Sequence, residues 1–140
     1  MCCRMLAKQL FDENHYPSLR RIGRGVFSSI HECSCPVIGG PSTCCVKVID
    51  LPKDPHGMRS MKDLFSELLI LQKLQSLPQI VSLYDFGTTE DNLYMVMKLY
   101  KMNLLTWRQQ IAGSITRSAR MMFKIFAEIL RSVDGLHGAG

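Results

Sequence analysis

Cys44-Cys45-Val46-Lys47-Val48-Ile49 is a short apolar run interrupted by one charge. Its β-branched content predicts a strand. Side chains on a strand alternate between faces, so Cys45 and Lys47 share one face and Val46 and Val48 the other. Two further strands are expected within residues 16–32, separated by a glycine turn. Leu19 and Ile22 mark the first; on the second, Phe27, Ser29 and His31 alternate with Ile30 and Glu32. Residues 35–43 carry Pro36, Gly39, Gly40 and Pro41 and read as a hairpin loop. Residues 50–57, with Pro52, Pro55 and Gly57, read as a connection.

The period then changes. Met61, Leu64, Phe65, Leu68, Leu71 and Leu74 recur at three and four residues, which predicts an amphipathic helix over 58–77. Pro78 is its expected stop, because the residue before a proline is pushed out of the helical region. Residues 80–86 and 93–99 read as two strands joined by the polar turn Thr88-Thr89-Glu90-Asp91-Asn92. A short helix is expected around Trp107, over 104–111. A longer one is expected over 118–136, with Met122, Ile125, Phe126, Ile129, Val133 and Leu136 on one stripe. Strands joined by hairpins imply an antiparallel sheet. The expected class is α+β: a five-stranded antiparallel sheet with one helix on a face, followed by two helices of a separate layer. No internal repeat or low-complexity segment is present.

Composition narrows the picture. A chain of 140 residues, 46% hydrophobic and 21% charged, can form one compact domain with a core. The net charge of +5 comes from scattered lysines and arginines without a dense block. It reads as a solvated face, and neither a nucleic acid nor a membrane surface is expected as a partner. No run of 18 apolar residues predicts a membrane span, and residues 1–10 are too polar for a signal peptide. Cys2, Cys3, Cys33, Cys35, Cys44 and Cys45 are therefore read as reduced thiols of a cytoplasmic protein, with the nucleus as the alternative. Pairing of the second and third strands would cluster four of these sulfurs. Their spacing lacks the two C-x₂-C hooks of a zinc site, and no metal is expected.

Three features carry candidate chemistry. Gly23 and Gly25, in Gly23-Arg24-Gly25-Val26-Phe27-Ser28, would let the backbone approach phosphate oxygens that a β-carbon would obstruct. Alone, the same segment is a plain hairpin turn. Lys47 alone would be a solvated edge residue. Glu67, however, lies among Leu64, Phe65, Leu68 and Leu71, where an unpaired carboxylate is costly. A cationic partner is expected, and Lys47 is the candidate.

Glycine loop, strand lysine and helix glutamate, in that order and spacing, resemble the eukaryotic protein kinase family. The resemblance covers residues 16–140 after a lead-in of 1–15. It implies an amino-terminal lobe over 16–97, a hinge over 98–103 and the start of a carboxy-terminal lobe over 104–140. It further implies that Gly23, Arg24, Gly25, Val26, Phe27 and Ser28 cover the phosphates of ATP, with Ser28 where a third glycine is usual. Ile30 and Cys45 would cap the adenine, Cys45 standing where the family usually has alanine. Lys47 and Glu67 would form the ion pair of the active arrangement. Leu71 and Leu83 would belong to an apolar spine. Met97 would be the gatekeeper, and Lys98, Leu99 and Tyr100 the hinge whose backbone binds adenine, with Leu105 beneath it.

The implied activity is transfer of the ATP γ-phosphate to a protein hydroxyl, serine or threonine, by a full domain. ATP is the implied cofactor, and Mg²⁺ is expected only in a full-length domain. Leu136-His137-Gly138-Ala139-Gly140 resembles the end of the helix before the catalytic loop. No H-R-D motif follows it, nor the D-F-G that comes after. These residues are therefore expected to position ATP without catalysing alone. Two readings stand. One is the ATP-binding portion of a kinase with a protein substrate. The alternative is an inactive module that binds a nucleotide or a partner, the partner covering the last helix.

Overall fold

The computed structural model describes residues 15–36, 41–51, 61–111 and 115–138. The chain divides into two compact units, Met1–Leu99 and Tyr100–Gly140. The expected lead-in lies almost wholly outside the described residues. So do the middle of the 35–43 loop, most of the 50–57 connection and the first residues of the 58–77 helix.

In the first unit, strands β1 (Ser18–Arg24), β2 (Ser28–Ser34) and β3 (Thr43–Asp50) precede helix α1 (Met61–Lys73). Strands β4 (Leu83–Thr88) and β5 (Asn92–Met97) follow. They form one five-stranded sheet in the order β1-β2-β3-β5-β4, with every pair antiparallel. The expected α+β class and five-stranded antiparallel sheet are therefore observed. The second unit holds α2 (Leu104–Ile111) and α3 (Ile115–Gly138). Asn103 caps α2, its Oδ1 accepting the Thr106 amide at 2.8 Å. Among the described residues, no helix is long and apolar enough to cross a membrane.

The period-two pattern of β3 separates two apolar clusters. Ile49 joins Leu64 and Leu68 of α1 and Leu93 and Met95 of β5 in one cluster. On the other face, Cys44 and Val46 pack with Tyr16, Cys33, Cys35, Tyr94 and Val96. Lys47 lies on the helix side, opposite Met95 in the β3–β5 ladder.

Several boundaries differ from the pattern. The helix expected to run to residue 77 ends at Lys73, before Pro78 acts. The chain continues in tight turns, with the Leu77 amide on the Leu74 carbonyl and the Ile80 amide on the Leu77 carbonyl. The strand expected from residue 80 begins only at Leu83, beyond those turns. β5 ends at Met97 rather than residue 99; Met97 is the last residue paired with β3. α3 starts at Ile115, three residues before the expected position. Leu19 and Ile22, the expected markers of β1, are 56% and 41% exposed. They fall where the β1–β2 register shifts, so they are skipped by the pairing rather than packed.

Candidate functional site

The glycine segment forms the β1–β2 turn. The Gly25 amide donates to the Ser28 carbonyl at 2.7 Å, closing the turn. A β-carbon on Gly25 would sit 2.9 Å from the Ser28 Oγ, so a larger residue there would require the serine hydroxyl to rotate away. The turn is anchored to the sheet by the Asp50 amide, which donates to the Phe27 carbonyl at 3.1 Å. Val26 at its tip is exposed.

Behind the turn, side chains converge on one sheet face by register. Ile30 is opposite Lys47, and Cys45 is opposite Met97. Directly opposed residues share a face. Ile30, Cys45, Lys47 and Met97 therefore lie on the face that α1 packs against. Burial pushes the Cys45 thiol up, and the Lys47 ammonium pulls it part of the way back. Cys45 is thereby kept a neutral, compact group beside the lysine.

Lys47 Nζ donates to Glu67 Oε1. Glu67 stands on α1 one residue before Leu68, which is fully buried against β3 and β5. The apolar packing of Leu64 and Leu68 thus brings the carboxylate to the sheet edge of its helix. The two side chains are 20% and 37% exposed, so the pair is shielded from water on one side and open on the other. A cation held in this way beside a glycine turn suits a polyanionic ligand.

Two comparisons bear on this arrangement. The family model described as protein kinase domain matches residues 16–140. A probable serine/threonine-protein kinase of Dictyostelium discoideum is 26% identical over 133 residues. That match covers 95% of this chain but only 5% of the relative's length.

The chain belongs to the protein kinase family. Of the residues assigned from the resemblance, this kinase domain brings Gly23, Ser28, Ile30, Cys45, Lys47, Glu67 and Met97 into one sheet and its helix, with Gly25 in the β1–β2 turn. Leu71 and Leu83 both pack against the α1-side cluster. Lys98 and Leu99 end the first unit, with the Lys98 amide donating to the Ser82 carbonyl at 2.9 Å. Tyr100 and Leu105 belong to the second unit, and their assignment rests on the resemblance alone.

The kinase domain also contains features that the sequence pattern did not single out. Asp85-Phe86-Gly87 spells the metal-binding triplet of the family but lies within β4. Asp85 is opposite Val96, whose side chain belongs to the cluster on the face away from Lys47. There its Oδ2 accepts the Tyr16 hydroxyl at 2.8 Å. It therefore serves the outer face, away from the site. The thiols of Cys33, Cys35 and Cys44 do cluster on that face, and burial pushes those of Cys33 and Cys44 up. Among the described residues, no group of three or more His, Cys, Asp or Glu is arranged to hold a metal. Gln75 is a further residue the pattern passed over. A polar residue in a turn carries no periodic signal, and its partners are visible only in three dimensions.

Proposed function

We propose that this chain carries the ATP-handling part of a serine/threonine protein kinase. The full domain would transfer the γ-phosphate of ATP to a protein hydroxyl. The observation that carries the reading is the ion pair between Lys47 of β3 and Glu67 of α1, set beside a glycine turn closed on Ser28. ATP supplies the phosphoryl group. The backbone of residues 23–28 would cover its phosphates, and Lys47 would hold them by charge-assisted hydrogen bonds while Glu67 orients the ammonium. Ile30, Cys45 and Met97 would give the adenine an apolar boundary, and the backbone of Lys98 and Leu99 would bind its edge. The site residues include no base for the substrate hydroxyl. Base and Mg²⁺ ligands are therefore proposed for the full kinase domain. Serine/threonine specificity is supported by the name of the Dictyostelium relative.

The test is equilibrium binding of a fluorescent ATP analogue to the 140-residue chain and to Lys47→Met and Glu67→Ala. Loss of one charge-assisted contact is worth about 1.5–3 kcal/mol, so Lys47→Met should weaken binding roughly 10- to 150-fold. Equal affinity in all three proteins would remove the assignment of the pair. A second reading, a partner-binding module without catalysis, is favoured by the exposed Phe123, Phe126, Ile129, Leu130 and Val133 of α3. Absence of nucleotide binding with a folded chain would favour it.

A further inference from the structure

We propose that Gln75 is the positioning residue for the Lys47–Glu67 pair, holding the helix of Glu67 in axial register with the sheet. The proposal rests on reading that pair as the nucleotide-handling one. Most of the α1 contact with the sheet is apolar, through Leu64 and Leu68 against Ile49, Leu93 and Met95. Apolar burial is non-directional, so the interdigitated leucines oppose lifting and large slides of the helix but do not by themselves fix the hydrogen-bond geometry of a carboxylate at its rim. Sliding matters, because one residue's rise is about 1.5 Å, enough to carry the Glu67 carboxylate out of hydrogen-bond reach of Lys47.

Gln75 supplies directional restraint at the end of the same helix. Its Nε2 donates to the Leu71 carbonyl at 3.0 Å, one of the last four carbonyls that a helix leaves without an internal partner. The same nitrogen donates to the Val81 carbonyl at 3.0 Å. Its Oε1 accepts the Leu83 amide at 2.8 Å. One side-chain amide thus joins the last turn of α1 to the segment entering β4.

That segment is itself fixed to the strand leading into the proposed hinge. The Lys98 amide donates to the Ser82 carbonyl, and Leu83 pairs with Met97. Helix position and hinge backbone therefore share one anchor. A glutamine is suited to it because a single side chain offers both the acceptor that Leu83 needs and two donors for the carbonyls.

The experiment measures acylation of individual lysines by an amine-reactive ester, read by mass spectrometry on the whole 140-residue chain without nucleotide. Lys47 is the reporter, because the carboxylate of Glu67 covers its ammonium. Exposed Lys124 of α3 is the internal reference. Gln75→Met keeps the length and loses all three hydrogen bonds. Lys47 acylation is expected to rise about fivefold or more, the factor that one lost hydrogen bond is worth, with Lys124 unchanged. In a Glu67→Ala background, where the pair is already broken, adding Gln75→Met should change nothing further.

Gln75→Glu keeps the acceptor for Leu83 but turns a carboxylate oxygen toward the Leu71 and Val81 carbonyls, and should raise Lys47 acylation at least as far as Gln75→Met. It decides the matter if the methionine variant does not fold. Unchanged Lys47 acylation in either folded variant overturns the proposal. So does a rise matched by new iodoacetamide labelling of buried Cys44, which would mark general destabilisation, and so does an effect that persists in the Glu67→Ala background. ATP-analogue binding by the wild-type chain tests the functional reading separately. Its failure would remove that reading and leave the acylation result standing.

Discussion

Replacing Tyr16 by phenylalanine isolates one hydrogen bond across the outer face of the sheet. The Tyr16 hydroxyl donates to Asp85 Oδ2 at 2.8 Å, tying the segment before β1 to the far edge strand β4. Phenylalanine keeps the ring in its buried position among Cys33, Cys44, Val46, Tyr94 and Val96, so only the hydroxyl is lost. A hydrogen bond to a charged acceptor contributes about 1.5–3 kcal/mol. Asp85 is half-buried and its Oδ1 still accepts the Phe86 amide at 2.8 Å, so the carboxylate is not left orphaned. The low end, about 1.5 kcal/mol, is therefore expected.

The assay is urea unfolding of wild type, Tyr16→Phe, Asp85→Asn and the double variant. The singles should not add, leaving a coupling of about 1 kcal/mol or more. The same contact predicts a pH dependence. Burial, then the hydrogen bond to Asp85 and its charge, raise the folded-state Tyr16 pKa above its ordinary 10.0. Above about pH 10 the unfolded chain releases this proton while the folded chain retains it, so stability falls as pH rises. Tyr16→Phe should reduce that alkaline slope. A variant as stable as wild type, strictly additive singles, or an unchanged slope would refute the reasoning.

Leu68→Ala should cost about 2–5 kcal/mol, since Leu68 is fully buried between α1 and the sheet, whereas exposed Ile70→Ala should stay within about 0.5 kcal/mol. Urea unfolding checks both, and equal costs would mean the helix face is misassigned. The Cys44 thiol is pushed up to about 12 by burial first and by neighbouring Cys35 second. Its contribution to stability should be complete below about pH 9 and decline as pH rises toward 12, and Cys44→Ala should lessen that decline. At pH 8, iodoacetamide with mass spectrometry should modify half-exposed Cys45 well before buried Cys33 and Cys44; the reverse order would contradict the packing.

What the sequence determined by itself is which residues share a face and which element carries them. Alternation along residues 44–49 sets Cys45 and Lys47 against Val46 and Val48 whatever sheet they join. The helical period placed Glu67 beside Leu68. Apolar neighbours around a carboxylate then called for a cation, and the structure supplies Lys47. These are local properties, because side-chain direction follows from backbone geometry within a few residues.

The tertiary structure decided everything that depends on which segments meet. The strand order brings β5 between β3 and β4, which sets Met95 opposite Lys47 and turns Asp85 to the far face despite the triplet it begins. The β1 register shifts expose Leu19 and Ile22 although their apolarity suggested packing. Pro78, the expected stop, does not end α1, which finishes at Lys73. The chain leaves the helix earlier and continues in turns bridged by the amide of Gln75. A glutamine in a polar stretch has the same local signature whether it is solvated or joins three segments. Its hydrogen-bond partners come from residues brought close only by folding, and no periodicity along the chain encodes that meeting.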